Sequence, residues 1–506
     1  MANKYWVGGT GTWSNSGTTN WSDSSGGAGG AVIPGTSDIV FIDAASLSAS
    51  STITISANRS VVSVIITGLD NKLDLVFNGN LTCSNLFQCD GYTGINRTFI
   101  KSGTLGTART ISAAAISVSN TDFQDITGAG AATWNLSAIT GGSGDCGGNT
   151  NITFTTADDW YWHADTGNVS DYTKWYTATN GGGSQMASTL VPLPQDTLHF
   201  DASSFDSGSQ TITQNMSRIG GIDFTGATNT PTLTTSTAAS VFGSITLISG
   251  MTLTASTQTY TFAGRGSYTL DSGGKSWNKF IAINLNTGTL TLKSDFYSLE
   301  GLQVQTGTFS CVDGANNWAI SVLTFSGTND AKCIITLGSA THLITGSSSA
   351  WTMYTSLTLS ANTATIKLTG NLSSNFVFTG AGKTYYNIWN ATTGNYPLVF
   401  SGSNTLNDFK IDAGREVNFT DGTDTTVTSL TAIGTSGSPI TMHGTGTAGW
   451  KISDTTGTND CEYLILDYST AEGGATFNAN NSTDGGHNTG WNFPSTANTT
   501  NFFNFI

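Results

Sequence analysis

Carboxylates come first among the residues that could do chemistry, because glycoside hydrolysis needs two of them about 5–10 Å apart. The chain has 33 acidic residues, and only four are glutamates: Glu300, Glu416, Glu462 and Glu472. The aspartates fall mostly in turn contexts such as TGTND, TDGTD and STDGG, where Asp bonds to its own backbone. The most suggestive group is Asp158-Asp159 beside Trp160 and Trp162, acids next to rings able to stack on sugars. A junction between modules, closed by an aromatic plug, is the favoured reading of it. Asp412 and Glu416 have equal parity, so a continuous strand would show both on one face. Ala413-Gly414 between them predicts a turn instead. The histidines (His163, His199, His342, His443, His487) form no HExxH and no close pair, and no GxSxG elbow supports a serine nucleophile. The runs 421–424 and 484–488 carry oxygen ligands of the kind calcium takes. They match no loop pattern and are expected as turns. No catalytic residue, metal site or cofactor is assigned.

Aromatics crowd two places. Trp160, Tyr161, Trp162, Trp175 and Tyr176 form one group, and Tyr5, Trp6, Trp13 and Trp21 the other. Exposed, such rings make a sugar-stacking platform or a protein interface. Buried, they are caps. The first group is the candidate ligand-binding set, although recurrence at matched positions favours a shared structural job.

That recurrence reveals the elements that must position these groups. Residues 5–68 are repeated at 160–226. Tyr5-Trp6 matches Tyr161-Trp162, Trp21 matches Trp175, and Pro34, Asp38, Asp43 and Ala44 match Pro192, Asp196, Asp201 and Ala202. The closers match as well: Asp145, Gly147, Gly148 and Asn149 against Asp484, Gly485, Gly486 and Asn488. A first β module is expected at 1–157 (opener 5–68, closer 118–154). A second, longer one is expected at 158–496 (opener 160–226, inserted repeats 260–412, closer 461–493). An apolar tail follows at 497–506. Within the insert, 273–304 resembles 381–411: Lys275 matches Lys383, Trp277 Tyr385, Leu290 Leu398 and Leu302 Phe409.

Only 10% of residues are charged, against roughly 25% in an ordinary soluble domain. Hydrophobic residues make up 37% and sit in alternating runs that disordered linkers lack. In ATIKLTG, Ile366 and Leu368 point one way and Thr365, Lys367 and Thr369 the other. Turn signals recur every 8–12 residues, and no stretch has helical periodicity. The class is all-β. A right-handed β-solenoid (parallel β-helix) in two tandem modules is expected, with roughly 20–29 residues per coil. Stacked coils also leave few edge strands to protect. Tandem β-sandwiches are the alternative. The net charge of −15 argues against a nucleic-acid partner. The six cysteines have no CxxC or zinc spacing. They are expected as buried thiols, with Cys83–Cys89 a weak disulfide candidate. No segment is apolar and long enough to span a membrane. MANKYWVGGTG lacks the apolar core of a signal peptide, so Sec-dependent secretion is not expected.

The opener YWVGGTGTW…NW…SDIVFIDA, the run LTLSANTATIKLTG…GAGKTYYN…SGSNTLNDF and the closer DGGHNTGWNF resemble Gly/Thr/Ser-rich β-repeat proteins of phage particles and bacterial surfaces. The resemblance implies β-helix architecture and a virion or surface role, as tail fibre, tailspike or adhesin, and transfers no functional residue. The expected function is a non-enzymatic phage virion protein, its solenoid presented to host surface glycans. Alternatives are an architectural virion component (capsid decoration or tail accessory) and a polysaccharide-degrading tailspike. The tail STANTTNFFNFI ends in Phe502, Phe503, Phe505 and Ile506. Such side chains cost roughly 1.5–3 kcal/mol each to leave in water, so the tail is expected to dock on a neighbouring copy or another virion protein. A homotrimer is implied by the resemblance.

Overall fold

Period-two patterning is realised as stacked parallel coils in a computed structural model of the chain. It describes all residues except 15, 17, 164, 256–257 and 495–506. The protein is all-β, 1% helical, and forms a β-solenoid of about 20 turns. Its two helical pieces are three-residue 3-10 turns, Ala44–Ser46 and Tyr172–Lys174. The chain divides into two compact units, Met1–Lys275 with Asn284–Gly288, and Ser276–Ile283 with Thr289 onward.

In the first unit, one stack runs in register from Asn3↔Ile39 through Ile39↔Ser63, Val64↔Phe87 and Ile116↔Phe87 to Arg109↔Ile126. Alternate residues face a continuous interior, including Val40, Ile42, Ile53, Ile55, Leu73, Leu75 and Phe77. A second stack starts at Asp159–Trp162, with Asp159↔Thr197 and Thr197↔Gly221. The unit thus holds the whole first stack and the first coils of the second. Buried ion pairs join them: Asp122 binds Arg97 Nε and Arg218 Nε, each at 2.6 Å. The two guanidinium groups hold the Asp122 carboxyl below its usual range, although burial alone would raise it. Arg97 also donates to the carbonyls of Thr121, Gly141 and Gly142.

In the second unit the same rows continue coil by coil. Ile465 pairs with Thr483, and Trp351 with Phe378, so a coil takes 18 to 27 residues. Inward positions stack identical chemistry along the rows. Phe325, Trp351, Phe378 and Phe400 are register partners and form an aromatic ladder with centroids 5.0, 5.8 and 5.0 Å apart. Such pairs add about 0.5–1.5 kcal/mol beyond area burial. The internal repeat is a contact repeat too. Lys275 Nζ donates to Ser249 O and Lys383 Nζ to Leu357 O, each 26 residues back. Trp277 and Tyr385 are both buried. All six cysteines are free and buried, Cys83 and Cys89 included, and burial pushes both of those thiols up to about 12. They are small apolar fillers of the interior.

Candidate functional site

The two aromatic groups are one structure built twice. Asn3–Trp6 pairs antiparallel with Trp21–Ser22, placing Trp6 opposite Trp21. Asp159–Trp162 pairs likewise with Trp175–Ala178, placing Trp162 opposite Trp175. The indoles meet edge to face at 5.2 and 5.0 Å. Trp6 Nε1 donates to Gly9 O, and Trp162 Nε1 to Asp165 O. Tyr5 stacks on Phe41 at 4.9 Å, and Tyr161 on His199 at 4.8 Å. Trp162 and Trp175 are fully buried and Trp160 is 6% exposed, so none of the three offers a ring face to a ligand. Tyr161 and Tyr176 are half-buried. The aspartates that recur with them fasten the turn. Asp38 accepts from the backbone N–H of Ala2 and Gly35. Asp196 accepts from those of Asp158 and Leu193 and from Trp160 Nε1. Asp43 with Ser46, and Asp201 with Ser204, close the same capping box.

The remaining sequence candidates are spread through the fold. Asp159 reaches His199 Nε2 at 3.0 Å, and Asp223 lies 3.4 Å from His199 Nδ1. The bond to Asp223, together with that to Asp159, raises the His199 pKa, and the imidazole holds Asp223 down to about 2. Burial pushes Asp196 up to about 7, against the pull of its three N–H donors. Asp196 and Asp223 line one cleft of about 370 Å³ with Gly221, Gly243 and Tyr268. Sequence reasoning missed this pairing, because 24 and more residues separate register partners. Asp412 accepts from Trp389 Nε1 at 2.8 Å, while Ala413-Gly414 forms a turn before the strand Glu416–Phe419. Asp421 accepts from the N–H of Gly446 and Ala448. Asp145 and Asp484 each accept from a glycine N–H and an asparagine Nδ2, using Gly147 and Asn149 or Gly486 and Asn488. These are turn duties. Among the described residues, no three His, Cys, Asp or Glu gather as a metal site would require. Phe502, Phe503, Phe505 and Ile506 lie outside the described residues.

The second unit contains a groove that sequence reading did not single out. It has a volume of about 420 Å³ and crosses several coils. Outward positions of register-paired strands make its floor: Gly301 with Thr324, Gln303 with Ser326, and Ser326 with Thr352. Phe280 and Tyr354 contribute rings, and Thr328, Asn329 and Ser349 complete the lining. Tyr354 is 43% exposed. Gly301 is required here, because a Cβ would sit 2.1 Å from Thr324 Oγ1 and 3.0 Å from the Phe280 ring. Gln303 accepts from Gln305 through its side-chain oxygen at 2.9 Å, which leaves its NH2 for another partner. No charged side chain lines the groove. Hydroxyls and amides converging between two rings suit a neutral polyhydroxylated ligand, bound by hydrogen bonds and ring stacking. The only signal in the sequence was the run of Thr, Ser and Asn at outward positions, and that pattern recurs all along the chain.

No protein family, no curated protein and no solved structure matches the chain.

Proposed function

We propose that the protein is a non-enzymatic virion adhesin of tail-fibre type, which holds a neutral segment of a host-surface glycan in the groove between Phe280 and Tyr354. The observation that carries the glycan part is the groove itself: uncharged on a protein of net charge −15, and lined by amide, hydroxyl and aromatic groups. The virion part is supported more coarsely, by a Gly/Thr/Ser-rich β-solenoid body that resembles phage fibres and surface proteins. A panel of surface polysaccharides and their oligosaccharides, titrated against the purified chain, tests the reading. A neutral glycan should bind without being cut. Absence of binding across the panel leaves the architectural virion role.

One observation favours polysaccharide cleavage as a second reading. Asp196 and Asp223 share a cleft and are pushed in opposite directions, the arrangement of an acid and its ionised partner. Against it, both Asp196 oxygens are taken by N–H donors, and Asp38 makes the same knot in the first opener. New reducing ends in the same panel, lost in Asp223→Asn, would establish cleavage.

A further inference from the structure

A second ligand site of different chemistry lies on another row of the second unit. Lys367, Trp389 and Lys410 are register partners on three successive coils, all at outward, half-buried positions. Strands in such a row are about 4.8 Å apart. The Lys367 ammonium lies 3.6 Å from the Trp389 ring centroid, and the Lys410 ammonium 3.8 Å. The indole is fixed in turn by its Nε1, which donates to Asp412 Oδ1 at 2.8 Å.

Two like charges on one ring repel each other, and cation–π attraction returns only about 0.5–2 kcal/mol each. Elsewhere the protein neutralises its lysines: Lys4 with Asp23, Lys72 with Asp74, Lys279 with Glu300, Lys293 with Asp313 and Lys451 with Glu472. Lys367 and Lys410 form no ion pair among the described residues. The carboxylates nearest in sequence are otherwise engaged, Asp412 by the indole and Asp408 by Thr431 Oγ1 at 2.9 Å. The result is a pair of ammonium groups, held at fixed spacing on a surface that is otherwise neutral or acidic. It is too small for a nucleic-acid backbone, which needs an extended basic face. It fits a single anionic substituent bridged by both lysines, with hydroxyl acceptors beside it in Asp408 and Asp412.

We infer that Lys367, Trp389 and Lys410 form a clamp for the acidic group of a saccharide, a uronate, sialate or phosphate substituent. The lysines bind the anion. Trp389 sets their spacing and is a positioning residue, since both its faces are covered.

The test is calorimetric titration of the full chain with uronate, sialylated and phosphorylated oligosaccharides. Maltohexaose and inorganic phosphate serve as neutral and sugar-free comparisons. One acidic oligosaccharide should bind, more weakly in high salt. Lys367→Gln and Lys410→Gln should each weaken it about tenfold or more, and the double variant should abolish it. Both side chains are on the surface, so the melting temperature should hold. Tyr354→Ala should leave this binding unchanged, which separates it from the neutral groove. The inference is overturned if no acidic oligosaccharide binds, if binding survives in the double variant, or if inorganic phosphate alone binds as tightly.

Discussion

His342 is a fully buried imidazole in the interior of the second unit. Its Nδ1 accepts from the N–H of Ile320 at 3.2 Å, and its Nε2 lies 3.0 Å from the Leu337 carbonyl. Those partners suit the neutral ring, and burial lowers its pKa to about 4. The folded pKa is thus below the unfolded value of about 6.5, so the unfolded chain binds the proton more readily. Stability should fall as pH drops from about 6.5 through 4, by on the order of 3 kcal/mol. Urea midpoints over that range should show the loss in the wild type and a flatter profile in His342→Gln. A flat wild-type profile would refute this. His199 has the opposite sign. Its pKa is raised by Asp223 and Asp159, so its contribution is complete below about 6.5 and fades as pH rises through its folded value. Asp122 offers a harder test. Asp122→Asn strips the charge that both Arg97 and Arg218 face, and breaking such a buried network costs about 3–5 kcal/mol. Chemical denaturation should report that loss. A change under about 1 kcal/mol would mean the pairs are solvated.

At the scale of elements, the openers were the most legible part of the sequence. Matched Trp, Asp and Pro positions recur as matched hydrogen bonds, down to the capping boxes at Asp43 and Asp201. Repeats are readable because the same local geometry needs the same residues. Trp162→Ala should destabilise the protein by about 3–5 kcal/mol, since its indole packs on Trp175 and Phe200 and has no exposed surface. An unaltered thermal transition would contradict that packing. Strand alternation was equally plain, as Ile366 and Leu368 show by facing inward. The groove and the lysine clamp were hidden for one reason. Lys367, Trp389 and Lys410 are about 20 residues apart in sequence and neighbours only through coil register. Register depends on coil length, which varies from 18 to 27 residues. Loops of unequal length between the rows erase any fixed spacing that a reader could follow. The cleft holding Asp196 and Asp223 was missed for the same reason.

Across the whole chain, the solenoid puts its aromatic and aliphatic residues into ladders and leaves Ser, Thr, Asn and Gln to face outward. Such a surface, with 10% charged residues, is suited to hydroxyl-rich partners and has few charges to repel them. The groove concentrates that chemistry between two rings. Tyr354→Ala removes one ring from a side chain that is 43% exposed, so folding should be unaffected while neutral-glycan affinity drops about tenfold, or roughly 1.4 kcal/mol. The most direct measurement is a crystal structure of the protein with the tightest-binding neutral oligosaccharide from the panel. The account predicts sugar density against Tyr354 and Phe280, with hydroxyls in reach of Gln303, Ser326 and Thr352. Density confined to any other surface, with the groove empty, would contradict it.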